Sequence, residues 1–200
     1  MVEKRYHSAN TLKAVFLERY SEGRGDLHVE SGTVYFSQPG RMRWEYESPE
    51  RKLFLVDGKT AWFYVPADRT ASRAPLRESS DWRTPLALLA GKAKLSHFCG
   101  RIELASGAPP EGHVVLRCLP RGNSAARGDE EPYFREVLLE VDAATGDLAR
   151  ILIRRAGGVE IEYRFADWQK NSPLPEALFH FSPPAGVAIV DESSIGNVIR

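Results

Sequence analysis

The side chains most often used for catalysis and metal binding are present but scattered. The five histidines lack the paired spacing of metal ligands, and the chain has no Gly-x-Ser-x-Gly nucleophile elbow. The carboxylate pairs Glu130-Glu131 and Asp191-Glu192 lie in polar or terminal stretches, which is typical of solvated loops. The sequence therefore predicts no metal site, no cofactor and no enzymatic activity.

The segment Gly58-Lys59-Thr60 resembles the end of a phosphate-binding loop. That motif requires a glycine five residues before Gly58, where this chain has Leu53, and a helix should follow, whereas the next residues are strand-like. The dipeptide Asp57-Gly58 is instead typical of a tight hairpin turn, because both turn positions need positive φ. We interpret the segment as a turn.

Aromatic residues concentrate in the first third of the chain. They are compatible with an ordinary sheet core and with a cavity for an apolar ligand, and residue type alone favours the core. The set comprises Phe16, Phe36, Trp44, Tyr46, Phe54 and Trp62.

Length and composition predict one globular domain. The chain has 200 residues, of which 42% are hydrophobic and 27% charged, so it has enough apolar material for a core. Lys plus Arg and Asp plus Glu both total 27, so no global positive field draws the protein to nucleic acid. Apolar stretches such as Leu86–Ala90 are too short to span a membrane as a helix.

Alternating hydrophobicity predicts strands. In Arg41–Glu47 every second residue is charged, and Val159–Phe165 shows the same period of two. A Gly157-Gly158 turn pairs the latter with Arg150–Arg155, and a second hairpin joins two aromatic or branched segments through Asp57-Gly58. The other predicted strands are Leu53–Val56, Ala61–Val65, Leu12–Tyr20, Thr33–Ser37, Leu95–Leu104, Val114–Leu119 and Glu136–Val141.

Strands joined by turns, without regular helical crossovers, favour a large antiparallel sheet. Helices are expected only at Glu3–Asn10 and at Thr84–Gly91, where Thr84 fits the N-cap and Gly91 the end. A curled sheet of about ten strands encloses more space than its side chains fill. We therefore expect an apolar cavity under a helical lid.

The two cysteines allow one disulfide. Cys118 shares the face of Val114 and Leu116, whereas strand parity places Cys99 on the polar face of its own strand. The two thiols meet only if a β-bulge intervenes, so the sequence leaves their pairing open.

Several motifs occur in a fixed order along the chain: a proline, a tryptophan shortly after it, a DGKT hairpin leading into WFY, and a late FxFxPPxGV motif. They lie in or beside the segments LKAVF (12–16), GTVYFSQPGRMRWEY (32–46), SP (48–49), LFLVDGKTAWFYVP (53–66), TPLALL (84–89) and FHFSPPAGVAIVD (179–191). In type and order these segments resemble the family of periplasmic outer-membrane lipoprotein carrier proteins, LolA.

The resemblance implies a mainly β fold: an unclosed antiparallel half-barrel of about ten to eleven strands, with short α-helices as a lid over an apolar cavity. We expect residues 1–200 to form one such domain, with 192–200 as a tail extension. From strand parity and the resemblance together, we expect acyl chains to bind a lining formed by Phe16, Phe36, Met42, Trp44, Tyr46, Phe54, Leu86 and Leu89.

One position departs from the family pattern. The family usually has an arginine before the proline, whose hydrogen bonds to the lid hold the empty cavity closed; this chain has Gln38. Glutamine keeps two donors but lacks the charge, so Gln38 is the candidate latch and a looser lid is expected. Arg41 and Arg43 have the parity opposite to Trp44, so they replace the latch only if the strand is irregular.

The resemblance also implies the role of a periplasmic chaperone. Its partners would be acylated lipoproteins, an inner-membrane lipoprotein-releasing ABC transporter and an outer-membrane acceptor lipoprotein, and it would act as a monomer. The alternative is a half-barrel domain that senses lipid or lipoprotein, or is structural, without transport. An enzyme would need a titratable group inside the cavity, and the inward faces assigned above contain none.

The resemblance implies that the protein is located in the periplasm. Met1–Asn10 contains no apolar segment of the kind found in secretory signals, which suits either a cytosolic protein or a mature chain with an added start.

Overall fold

The computed structural model describes residues 2–23, 25, 27–76, 85–91, 94–121 and 134–192. They form one twelve-stranded sheet with a few short helices. The strands are β1 (Thr11–Glu22), β2 (Leu27–Ser37), β3 (Arg41–Ser48), β4 (Lys52–Val56), β5 (Thr60–Val65), β6 (Thr70–Pro75), β7 (Cys99–Leu104), β8 (His113–Pro120), β9 (Glu136–Asp142), β10 (Leu148–Arg154), β11 (Val159–Lys170) and β12 (Ala188–Asp191).

The strand order is β12-β6-β5-β4-β3-β2-β1-β11-β10-β9-β8-β7. Most neighbours in the sheet are neighbours in the chain, and the long-range pairing of β1 with β11 joins the two halves. Among the described strands, β7 and β12 are the two edges of the sheet, so the sheet is unclosed, as predicted. The twelve strands slightly exceed the expected ten to eleven. Alternating hydrophobicity did not predict β6, whose sequence TASRAP is only weakly apolar, or β12, which pairs with β6 in parallel.

One face of the sheet forms the main core. On β1, Leu12, Ala14 and Phe16 are buried while Val15 between them is 40% exposed, which is the alternation expected of a strand with one wet face. Strands β1 to β5 and β8 to β11 contribute buried side chains to the same cluster, together with residues of the helices. This shared cluster is the concave interior.

The outer face of β7 to β11 carries alternating charges. Glu162 on β11 pairs with Arg19, Arg150 and Arg164, which belong to three strands. Glu136 on β9 accepts hydrogen bonds from arginines of β8 and β10 in the same way. These ion pairs connect neighbouring strands, so this half of the outer face is suited to water.

The outer face of β3 to β5 is covered by the C-terminal segment, defined here as residues 172–187. Leu55 is fully buried beneath this cover, and Phe181 packs on Trp62 with ring centroids 5.4 Å apart. Arg41 pairs with Glu176, and Arg43 Nη1 donates to the Leu178 carbonyl at 3.0 Å. Both arginines therefore fasten the C-terminal segment, on the side of the sheet away from the helices.

The helices are shorter than the sequence predicted. Helix α1 spans Val2–His7, a 3-10 helix spans Pro85–Leu88, and α2 spans Leu95–Phe98. The bonds from Leu89 N to Leu86 O and from Gly91 N to Leu88 O are of the i to i−3 type, so the second predicted helix is a tight 3-10 turn. Its expected cap, Thr84, and residues 193–200 of the expected tail lie outside the described residues.

None of the described helices is long and apolar enough to cross a membrane.

Cys99 and Cys118 form a disulfide, with their Cα atoms 5.4 Å apart. The parity assigned to Cys99 was wrong: Cys99 is buried, whereas Ile102 and Leu104 are exposed. The reason is that residues 95–98 are helical and a register shift lies between Cys99 and Arg101, so alternation cannot be counted through the segment. This is the bulge that the pairing required.

Candidate functional site

The concave interior is lined by aromatic rings that contact one another edge to face. Trp44 lies at the centre, with ring centroids 4.9 Å from Phe16, 6.0 Å from Phe36 and 5.4 Å from Tyr163. Phe165 continues the lining towards Trp168. β3, β1, β2 and β11 thus combine into one apolar surface, although β3 and β11 are far apart in the chain.

The eight lining residues expected from the sequence lie together. Six are buried in the concave cluster, and Tyr46 and Leu86 pack against it partly buried. The buried six are Phe16, Phe36, Met42, Trp44, Phe54 and Leu89. Their assignment to acyl binding stays a prediction, since a packed core would bury them as well.

One end of the interior is closed by α1. The Tyr6 side chain is fully buried, and its hydroxyl accepts a hydrogen bond from Leu148 N at 2.7 Å. Burial raises the pKa of this hydroxyl, so it stays protonated. Arg5 pairs with Asp147, and the Tyr6 ring contacts Trp168 at 5.5 Å. α1 is thereby fastened to the β10 and β11 side of the sheet.

Gln38 connects the other side of the sheet to both helical elements at this end. Its Nε2 donates to the Tyr6 carbonyl in α1. Its side chain also lies against Gly91, where φ is +68° and a Cβ atom would collide with the Gln38 amide. Next to it, Gly40 N donates to the Ala90 carbonyl at 3.0 Å. The position expected for a latch therefore contacts both segments that a lid would comprise.

The opposite end of the interior is polar. Glu18 has the parity of Phe16 on β1, and its carboxylate accepts hydrogen bonds from Tyr46 at 2.9 Å and Tyr163 at 3.1 Å. Burial raises the pKa of Glu18, and the two tyrosine hydroxyls partly oppose this increase. Burial also raises the pKa of Tyr46 well above its ordinary value. The nearby Glu30 pairs with Lys52.

Glu18 corrects the expectation that the inward faces contain no titratable group. This inward position is predictable from the sequence, because residues 16 and 18 share a face of the predicted strand Leu12–Tyr20. Tyr163 and Phe165 likewise share a face of the predicted strand Val159–Phe165. Their place beside Trp44 could not be predicted, because it depends on the pairing of β1 with β11.

Trp44 carries an unpartnered polar atom. It is 1% exposed, and within the described ranges its indole Nε1–H is the one buried side-chain polar group without a hydrogen-bond partner. Such groups are rare in native structures because burial removes their hydration.

A second concavity lies on the outer face. A groove of about 960 Å³ runs between β3 to β5 and the C-terminal segment. Its walls mix charged and aromatic side chains, among them Arg43, Glu47, Arg51, Tyr64, His180 and Phe181. The described part of the chain contains no group of three or more His, Cys, Asp or Glu residues arranged to hold a metal ion.

The fold and the interior together define a class of protein, the half-barrels in which an unclosed sheet curls around an aromatic lining. One end of the lining is closed by helices, and the other end is polar. Comparison with known proteins identifies the family. Residues 7–108 match the family model described as "Outer membrane lipoprotein carrier protein LolA". The chain belongs to this family.

Individual relatives can be aligned with most of the chain. It is similar to an outer-membrane lipoprotein carrier protein of Methylococcus capsulatus, with 31% identity over 92% of this chain and 83% of the relative. A protein of the same description from Nitrosospira multiformis is 29% identical over 92% and 84% of the two chains. Among solved structures, an uncharacterized conserved protein of Thermus thermophilus covers 96% of this chain and 97% of its own at TM-score 0.60 and 15% identity, which supports the fold alone.

Proposed function

We propose that this protein is a periplasmic chaperone that binds the acyl chains of lipoproteins released from the inner membrane and carries them to the outer membrane. The observation that carries the proposal is the continuous aromatic interior, capped at one end by α1 and the 85–91 segment. Family membership supports the same role. The proposal takes residues 1–200 as one carrier domain that acts as a monomer and without catalysis.

The energetics explain why such a carrier needs an enclosed apolar interior. At about 0.8 kcal/mol per CH₂, one chain of sixteen carbons costs on the order of 12 kcal/mol to expose to water. A surface patch would shield only part of each chain. The eight lining positions, from Phe16 to Leu89, are proposed to contact the chains, which then replace contacts that the closed molecule makes with itself.

Release requires that binding is not too strong. In the closed state the 85–91 segment and α1 already cover the lining, so a ligand must displace favourable contacts before it binds. Gln38 is proposed as the latch of that state, because it contacts both segments. The partners expected are an inner-membrane lipoprotein-releasing ABC transporter, which delivers the cargo, and an outer-membrane acceptor lipoprotein.

The direct test is binding of a fluorescent diacylated lipopeptide, with the same peptide lacking its chains as a control. We expect saturable, acyl-dependent binding that Trp44→Phe weakens slightly and Trp44→Ala strongly. Trp62→Ala is the matched control, because Trp62 packs on Phe181 across the outer face. If the folded protein binds no acylated peptide, the carrier proposal fails and a sensing or structural half-barrel remains.

A further inference from the structure

Trp168 lies at the closed end of the lining, where the pairing of β1 with β11 is irregular. The register shifts between Lys13 and Val15, so that Ala14 faces two residues of β11. The first of these two, Asp167, has a φ of +56°. A bulge of this kind redirects the side chain that follows it, and Trp168 accordingly packs against the buried cluster of the concave interior.

The indole of Trp168 is held by the main chain of the neighbouring strand. Its Nε1–H donates to the Leu148 carbonyl at 2.8 Å, and the Leu148 N–H donates to the Tyr6 hydroxyl at 2.7 Å. The Trp168 and Tyr6 rings meet edge to face, with centroids 5.5 Å apart. Because Trp168 and Leu148 belong to β11 and β10, this aromatic wall is part of the sheet and not of the cover that a ligand displaces.

Glu18 limits the lining at the opposite, polar end. Its carboxylate is already hydrogen-bonded, so a CH₂ group laid over it would remove hydration and return no hydrogen bond. The surface between the two limits is apolar and buried, with Ala14 and Phe16 on β1 and Phe165 on β11. An acyl chain in the interior therefore gains apolar contacts over the distance from Trp168 to Glu18.

The strand register gives this distance. Ala14, which lies opposite Trp168, and Glu18 are four residues apart on β1, which corresponds to about 13 Å at about 3.3 Å per residue. The hydrocarbon core of a bilayer is about 30 Å thick, so the chains of one leaflet, with about sixteen carbons each, span about 15 Å. The lining is thus close to the length of one membrane acyl chain.

Resting on the proposed carrier function, we propose that Trp168 sets the longest acyl chain that the interior accepts, at about sixteen carbons. A longer chain must either leave CH₂ groups in water beyond Glu18 or push the indole away from the Leu148 carbonyl. Both cost free energy that a membrane or micelle does not charge, since chains of every length are buried there. The protein therefore discriminates against long chains.

Uptake from mixed micelles tests this limit. The protein is incubated with diacylated lipopeptides that share one peptide and carry chains of about 12 to 20 carbons, and is then separated from the micelles. Mass spectrometry measures how much of each lipopeptide is bound. Lengths up to the limit should be taken up equally, whereas each CH₂ beyond it should lower uptake by up to about fourfold, its full cost in water.

Trp168→Ala should move the limit to longer chains. A chain of about 18 carbons, which exceeds the limit of the wild type, should then be taken up as well as one of about 16 carbons. Trp168→Phe keeps a smaller ring at the same position and should give an intermediate limit, which also covers an alanine variant that does not fold. Trp62→Ala is the matched control, because Trp62 packs on Phe181 across the outer face.

Equal uptake of all lengths by the wild type, or a limit that the Trp168 variants leave unchanged, would overturn this role of Trp168 and leave the carrier function intact. Absence of any bound lipopeptide would overturn both.

Discussion

Gly32 lies between Phe16 and Tyr46 and explains how their rings meet. It pairs with Phe16 across β1 and β2 and with Tyr46 across β2 and β3. The two rings contact over it, with centroids 5.1 Å apart. A Cβ atom at this position would collide with the Glu45 backbone. A side chain at position 32 would thus disturb the pairing of β2 with β3 at the centre of the lining.

The buried carboxylate of Glu18 should limit stability at neutral pH. Its pKa in the folded state is raised above the ordinary value of 4.5, so the folded protein holds this proton more tightly than the unfolded chain. Its contribution to the free energy of unfolding is therefore most favourable at acidic pH and decreases as the pH rises from 4.5 through the raised pKa.

We expect Glu18→Gln to raise the midpoint of thermal unfolding at pH 7.5, with the gain shrinking towards pH 4.5. An amide keeps hydrogen bonds to Tyr46 and Tyr163 and removes the cost of the buried charge. Thermal unfolding monitored by circular dichroism over this pH range measures the effect. A variant less stable than the wild type at pH 7.5 would show that the ionised carboxylate stabilises the fold.

Gln38→Ala should loosen the closed state and tighten ligand binding. The variant loses the hydrogen bond to the Tyr6 carbonyl, worth about 1 kcal/mol. Because the closed state is then less stable, a ligand needs less free energy to displace α1 and the 85–91 segment from the lining. We expect about fivefold tighter binding of an acylated peptide and faster hydrogen exchange in α1. Gln169→Ala, at an exposed position near the C-terminal end of β11, is the control. Unchanged affinity and exchange would remove Gln38 from the latch role.

At the scale of elements, the disulfide joins the first residue of β7 to β8 at the edge of the sheet. Cys99 and Cys118 are separated by 19 residues, and α2 directly precedes Cys99. By chain entropy, a closed loop of this length is worth about 3 kcal/mol of stability. It also holds β7, a free edge with two exposed apolar side chains, against β8.

Reduction should therefore lower the free energy of unfolding by about 3 kcal/mol. The Cys99→Ala/Cys118→Ala double variant should behave like the reduced protein and should not respond to reductant. Urea unfolding with and without reductant measures both. Equal stability of the oxidised and reduced protein would mean that the loop is ordered without the bridge.

The sequence predicts strand positions where one face of the sheet is buried and the other is exposed to solvent. The hairpins around Asp57-Gly58 and Gly157-Gly158 follow from alternation and turn residues. At the first of them only Gly58 has positive φ, and the Asp57 carboxylate instead accepts hydrogen bonds from Lys59 N and Thr60 N. Alternation fails at Leu53–Val56, where all four residues are buried, because the concave core covers one face and the C-terminal segment the other. It also fails at Cys99, since a helix and a bulge interrupt the count.

The sequence predicts those residues of the candidate site whose inward direction follows from alternation within their own strand. Phe16, Trp44 and Tyr46 could be assigned inward from their own strands. Tyr163 could not be placed beside them, because only the fold shows that β11 joins β1. The inward position of Glu18 follows from the same parity, since it shares a face of β1 with Phe16.

At the scale of the whole molecule, the two faces of one sheet have different roles. The concave face runs from a closed apolar end at Tyr6 to a polar end at Glu18. The outer face is divided between ion pairs on β7 to β11 and the C-terminal segment over β3 to β5. That segment borders the second concavity, the groove of about 960 Å³. The central claim is that acyl chains occupy the concave face and not this groove.

Photolabelling with a lipopeptide whose acyl chain carries a diazirine tests this claim most directly, because the chain marks the residues that it contacts. Mass spectrometry of the digested protein should locate the label on the concave face, around Phe16, Trp44 and Phe165, and competition with unlabelled lipopeptide should abolish it. Label concentrated at Tyr64 and Phe181 in the outer groove, or label that lipopeptide does not compete away, would contradict the account.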